Sequence, residues 1–136
     1  MAGFKVTHLD DVGERVDGRC RYRPIRHHFG ITGFGVTAWT AHAAGELILD
    51  VHDEDDPTSD QELFLVLIGH ATFELEGERV DAPAGTLVFV PPGAERRAFA
   101  EEGTTTIIAV EGTPGKPYDA RGWEVLGPTR ASLRSG

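Results

Sequence analysis

Four side chains hold the positions from which this chain could do chemistry: His52, Glu54, Glu62 and Arg96. A neutral imidazole offers a lone pair and changes charge near neutral pH, so His52 can ligate a metal or move a proton. The two glutamates add oxygen donors or a general base. The Arg96 guanidinium has no lone pair to give and stays charged, but its planar fork can hold a carboxylate through parallel hydrogen bonds. The set therefore supports two opposed chemistries. In one, His52, Glu54 and Glu62 make a weak, carboxylate-rich site for a divalent metal such as magnesium or manganese. In the other, no cofactor is expected, and Arg96 pairs with Glu62 or Glu54 and neutralises the cavity as a metal would. Such a pair either serves structure alone or leaves Arg96 able to hold a carboxylate or enolate of a ligand, with His52 and Glu62 as acid and base.

Strands have to position these groups. From Leu47 onward a period of two sets Ile48, Asp50, His52 and Glu54 against Leu47, Leu49 and Val51. If the aliphatic face fills the interior, His52 points to solvent; if it packs outward, His52 and Glu54 look in. Gln61 to Ile68 reads as a strand apolar on both faces, as expected inside a barrel or where one sheet face is buried in a dimer. Glu62 interrupts that strand, and a buried carboxylate needs a partner. Thr86 to Val90 is a further buried strand, the Pro91-Pro92-Gly93 turn follows, and the next strand must send Arg96 and Arg97 to opposite faces. Upstream, FGVTAWTAHAAGELILDV alternates as two strands broken at Ala43 to Gly45, with Trp39 either packing in the core or stacking on a ligand. ATFELEGERVDAP is a hairpin turning at Gly77, and GTTTIIAVEG supplies a last strand rich in β-branched residues.

Written as spacings, the two stretches are Gly45-x6-His52-x-Glu54-x7-Glu62-x6-Gly69 and Gly85-x5-Pro91-x-Gly93-x2-Arg96. They resemble the two motifs of the cupins, G-x5-H-x-H-x3,4-E-x6-G and G-x5-P-x-G-x2-H-x3-N, and the resemblance covers Val36 to Val110. It implies an all-β, single-domain cupin-type jelly-roll β-barrel (a double-stranded β-helix) formed by residues 36–112. Residues 1–35 become an N-terminal strand extension packed on the barrel or a partner subunit, and residues 113–136 a C-terminal loop and tail. In the family, histidines and a glutamate hold a divalent metal. Here Glu54 stands for the second histidine, Arg96 for the histidine of the second motif and Ala100 for its asparagine. The implied pocket has Phe64, Val66 and Trp39 as apolar lining, with His52, Glu54, Glu62 and Arg96 as its polar groups. The reading that follows is a protein binding a small organic molecule without a tightly bound catalytic metal. The alternative is an enzyme on a small organic substrate, either a metal-dependent oxygenase or an acid–base isomerase, lyase or cyclase.

The rest of the chain bounds these readings. Its 136 residues suffice for one core, and a formal net charge of -9 argues against nucleic acid or an anionic membrane as partner. Cys20 is the only cysteine, which excludes an intrachain disulfide. The N-terminus carries acids where a signal peptide needs an apolar stretch, and the apolar run Leu63 to Ile68 is too short to span a bilayer, so a cytoplasmic protein is expected. Five arginines from Arg15 to Arg26, with His27 and His28, form the one basic segment, read as a solvated strand face or a subunit contact. Pro24 restricts that strand to a sheet edge or a strand start, and an edge running from Tyr22 to Phe29 invites pairing in a homodimer. Eight acids between Glu46 and Glu62 read as a solvated loop with no calcium-loop spacing. Tyr118 and Trp123 are expected to cover the barrel or a partner.

Overall fold

Short runs of β-branched and aromatic residues, punctuated by glycine and proline turns, give this chain strands too brief for anything but a layered β structure. The computed structural model describes residues 3–50, 60–115 and 117. A 3-10 turn at Leu9–Asp11 leads into β1 (Arg15–Asp17) and β2 (Cys20–Arg23), then a short helix α1 (Ile25–Phe29). There follow β3 (Gly35–Ala41), β4 (Leu47–Leu49), β5 (Gln61–Ile68), β6 (His70–Leu75) and β7 (Glu78–Pro83). The set closes with β8 (Leu87–Val90), β9 (Arg96–Ala100) and β10 (Thr105–Gly112). One sheet has six strands in the order β1-β2-β3-β10-β5-β8, the other four in the order β4-β9-β6-β7. Every pairing is antiparallel. The last strand lies between β3 and β5, and β9 lies between β4 and β6, so the chain crosses between sheets as a jelly roll does.

The inner faces meet in one core. Tyr22, Trp39, Phe64, Val66 and Ile107 come from the large sheet, Ile48, Phe73 and Ala98 from the small one, and all are buried. The Phe64 and Phe73 rings bridge the two sheets with centroids 5.6 Å apart and planes tilted by 52°. Trp39 packs on Tyr22 with ring centroids 5.4 Å apart and is buried in this core. The hairpin expected around Gly77 is present, with Glu76 at φ 50 and Gly77 at φ 82, the left-handed pair that a type I′ turn demands.

Two expectations are corrected. The strand expected from Tyr22 to Phe29 stops at Arg23, because residues 25–29 turn into helix after Pro24 and Gly30, at φ 73, terminates it with its N–H on the Arg26 and His27 carbonyls. Nor is β2 an open edge: it is paired with β3 on one side and β1 on the other, so the N-terminal residues extend the chain's own sheet. The second correction concerns β4. Leu47 pairs with Phe99 but Leu49 with Ala98, a bulge that advances two residues on β4 for one on β9. Leu47, Ile48 and Leu49 are consequently all buried while Asp50 is exposed, so strict alternation fails across these four residues. Among the described residues no helix is long and apolar enough to cross a membrane.

Candidate functional site

The site is built where β5, β9 and β10 end together. In β5 the inward residues are Glu62, Phe64 and Val66, since their neighbours Leu63 and Leu67 are each 44% exposed. In β9 the alternation sends Arg96, Ala98 and Ala100 inward, and Arg97 lies outside, 3.9 Å from Glu74. Arg96 is 2% exposed and its Nη2 donates to Glu62 Oε1 at 2.5 Å. Nη1 donates to the Ala94 carbonyl at 2.7 Å, a bond back across the turn that aims the guanidinium. Among the described residues its buried Nε–H meets no acceptor. Burial of both members, at 2% and 7% side-chain exposure, makes this an ion pair whose partners depend on one another.

Sequence reasoning missed two members of this neighbourhood. Glu111 on β10 stands directly opposite Glu62 in register and is buried on the same inner face. Asp60, one step before β5, is buried too and accepts a hydrogen bond from Thr113 Oγ1 beyond β10. The available signal for Glu111 was parity: from Ile107 through Ala109 the inner face leads to it. The pairing of β10 with β5 is not visible in sequence order. An open cleft of about 500 Å³ reaches this end, lined by Glu62 and Glu111 together with the apolar Phe34, Leu63, Phe89 and Val110. Phe64, Val66 and Trp39 are buried in the core between the sheets and do not line this cleft, whereas His52 and Glu54 lie outside the described residues.

With this geometry in hand, comparison with known proteins is informative at the level of fold. No family model matches the sequence, and no curated protein matches it. Solved structures do. A cupin 2 conserved barrel domain protein from Salinispora arenicola superposes with a TM-score of 0.67 over 98% of this chain and 99% of that one, at 18% identity. A cupin protein from Bacteroides fragilis gives 0.65 over 93% and 98%, at 15% identity. KdgF from a Halomonas species gives 0.65 over 88% and 96%, also at 15% identity. The chain has the cupin fold.

The cupin motif positions gain a physical meaning from the backbone. The four motif glycines Gly45, Gly69, Gly85 and Gly93 have φ of 87, 83, 93 and 83, all in the left-handed region that other residues avoid. Gly69 is doubly constrained, since a Cβ there would lie 2.4 Å from Thr105 Oγ1 and 2.7 Å from the Thr104 carbonyl oxygen. Of the donors that the cupin resemblance implies for a metal, His52 and Glu54 lie outside the described residues and Glu62 is engaged by Arg96. The inward position of the second motif is filled by a cation without a lone pair, and that cation already holds Glu62. Among the described residues no three histidines, cysteines, aspartates or glutamates come together as a metal site.

Proposed function

We propose that this cupin-fold protein binds a small organic molecule at the barrel end closed by Glu62 and Arg96, without a tightly bound catalytic metal. The observation that carries this reading is the buried Glu62–Arg96 pair set beside a cleft lined by Glu62, Glu111 and apolar side chains. Few polar groups fixed against an apolar surface are the usual make-up of a small-molecule site. The charges narrow the ligand class. Glu62 and Glu111 are side-by-side register partners on β5 and β10, so a ligand hydroxyl or phenol that donates a hydrogen bond suits them better than a carboxylate. An aromatic or aliphatic body would lie on Leu63 and Phe89. An acid–base reaction at this site would draw on His52, which lies outside the described residues.

Thermal melts with a panel of simple phenols and hydrophobic carboxylates test the proposal. Phenols should raise the melting temperature in a concentration-dependent way, carboxylates less, and Arg96→Ala should blunt both responses. Failure of every compound to move the wild-type transition at millimolar concentration would remove the reading.

A further inference from the structure

The basic N-terminal segment belongs neither to the cleft nor to the core, and its arginines differ in how they are satisfied. Arg19 is exposed in the turn between β1 and β2, and Arg21 is exposed with Nη1 4.0 Å from Glu14. Arg23 Nη1 donates to the Val12 carbonyl at 2.6 Å and to the Asp10 carbonyl at 3.3 Å. Arg26 Nη1 donates to the Ile31 carbonyl at 3.3 Å. Arg15 is the exception. It opens β1 opposite Tyr22, a core residue, and cross-strand partners share a face, so its side chain starts toward the interior. Its Nη1 is buried and meets no acceptor among the described residues. The flanking acids are turned to other groups, Glu14 to His42 Nε2 at 3.0 Å and Asp17 to Cys20, its register partner. What surrounds Arg15 is further positive charge. The His27 imidazole on α1 is held below the ordinary histidine value, first by partial burial and then by the charges of Arg15, Arg26 and His28. A guanidinium N–H withdrawn from water without an acceptor is costly, and each neighbouring cation adds to that cost.

We propose that Arg15, Arg26 and His27 form a site between β1 and α1 for the phosphate group of a small molecule. An anion there gives the buried Nη1–H an acceptor and balances the gathered positive charge in one step. The planar guanidinium fork matches phosphate oxygens, and a phosphate ester carries about 1.5 to 2 negative charges near neutral pH. Two arginines are better balanced by that charge than by the single charge of a carboxylate. A polyanion such as nucleic acid would instead be repelled by a body of net charge -9. Arg15 is only partly buried and His27 is exposed, so the anion enters on the His27 side and a rotation of the guanidinium brings Nη1 to it. The site is separate from the cleft, which none of the three residues lines. Arg15 pairs with Tyr22 and Tyr22 with Trp39, whereas Glu62 pairs with Glu111 and Glu111 with Gly35, a different level of β3. The proposal therefore holds whether or not the cleft takes a ligand.

Inorganic phosphate is the probe, titrated into the full-length protein at constant ionic strength with chloride as the balancing ion. At about 50 mM it should raise the melting temperature by about 3 °C or more, and Arg15→Met should lose most of that rise. Phosphate also stabilises folded proteins in general by exclusion from their surfaces, so a response that Arg15→Met keeps in full overturns the proposal, as does a wild type that does not respond. Without phosphate, Arg15→Met should melt no lower than the wild type, because it removes a charge that has no partner and keeps an apolar stem. A clear drop there would mean that the guanidinium already serves the fold, and overturns the site. Acetate should act much more weakly, and an equal response to it would overturn the assignment to phosphate in favour of a carboxylate. Proton NMR of the wild type supplies a readout that needs no variant to fold. Phosphate should move the His27 titration upward, since an adjacent anion favours the charged imidazole, and should leave His70 where it is. A His27 titration indifferent to phosphate overturns the proposal.

Discussion

Arg96 is the residue on which the site turns, because it is buried, charged and bonded to a carboxylate that is buried with it. Removing one member of such a pair leaves the other buried without its opposite charge. Arg96→Ala is therefore expected to cost about 3–5 kcal/mol of stability, softened as Glu62 takes up a proton. Denaturant unfolding measures it, and a loss below about 1 kcal/mol would mean that Glu62 is satisfied without the arginine. Arg96→His replaces a cation with a lone-pair donor at the same inward position. Calorimetric titration should then show zinc binding that the wild type lacks, and tight wild-type binding abolished by His52→Ala would show that the arginine has joined a metal site rather than displaced one. A quieter residue offers an independent check on burial. The Cys20 thiol is pushed up to about 11, first by burial and then by the nearby Asp50 and Asp17 carboxylates. It should resist a thiol reagent at pH 8 until the protein is unfolded. The inward aim of Arg96 was legible in the sequence because motif spacing and strand parity agree there. Glu111 was not, since its significance depends on which strand lies beside it.

Elements differ in how far local pattern determines them. β5 and the β6–β7 hairpin came out as read because their signals, alternation and a turn glycine, act within a few residues. The bulge in β4 and the helix α1 escaped, for the first is imposed by pairing with β9, fifty residues on, and the second by how the chain leaves β2 after Pro24. Gly69, between β5 and β6, combines a local and a distant demand: positive φ and the close approach of Thr104 and Thr105. Gly69→Ala should cost about 2 kcal/mol or more, visible as a lowered denaturation midpoint, while an unchanged midpoint would mean that the loop before β10 yields freely. The hairpin supplies a pH signal. His70 Nε2 lies 2.6 Å from Asp81 Oδ1, and this hydrogen bond, outweighing some desolvation, raises the imidazole above the ordinary histidine value, with Glu101 and Glu102 adding to the effect. Because the folded value is the higher one, the stabilisation is complete below the unfolded value and is lost as pH rises through the folded one. Proton NMR titration should find His70 shifted upward in the wild type and returned toward its ordinary value in Asp81→Asn.

At the scale of the molecule, the all-β class and the barrel were legible from two motifs, while the strand order that makes one sheet six strands wide was not. That width matters, because it sets β10, β5 and β8 side by side and so gathers the outward Leu63, Leu87, Phe89 and Val110 into one face. The same width sets Glu111 of β10 beside Glu62 of β5, so the rim of the cleft joins buried carboxylates of the inner face to apolar side chains of the outer one.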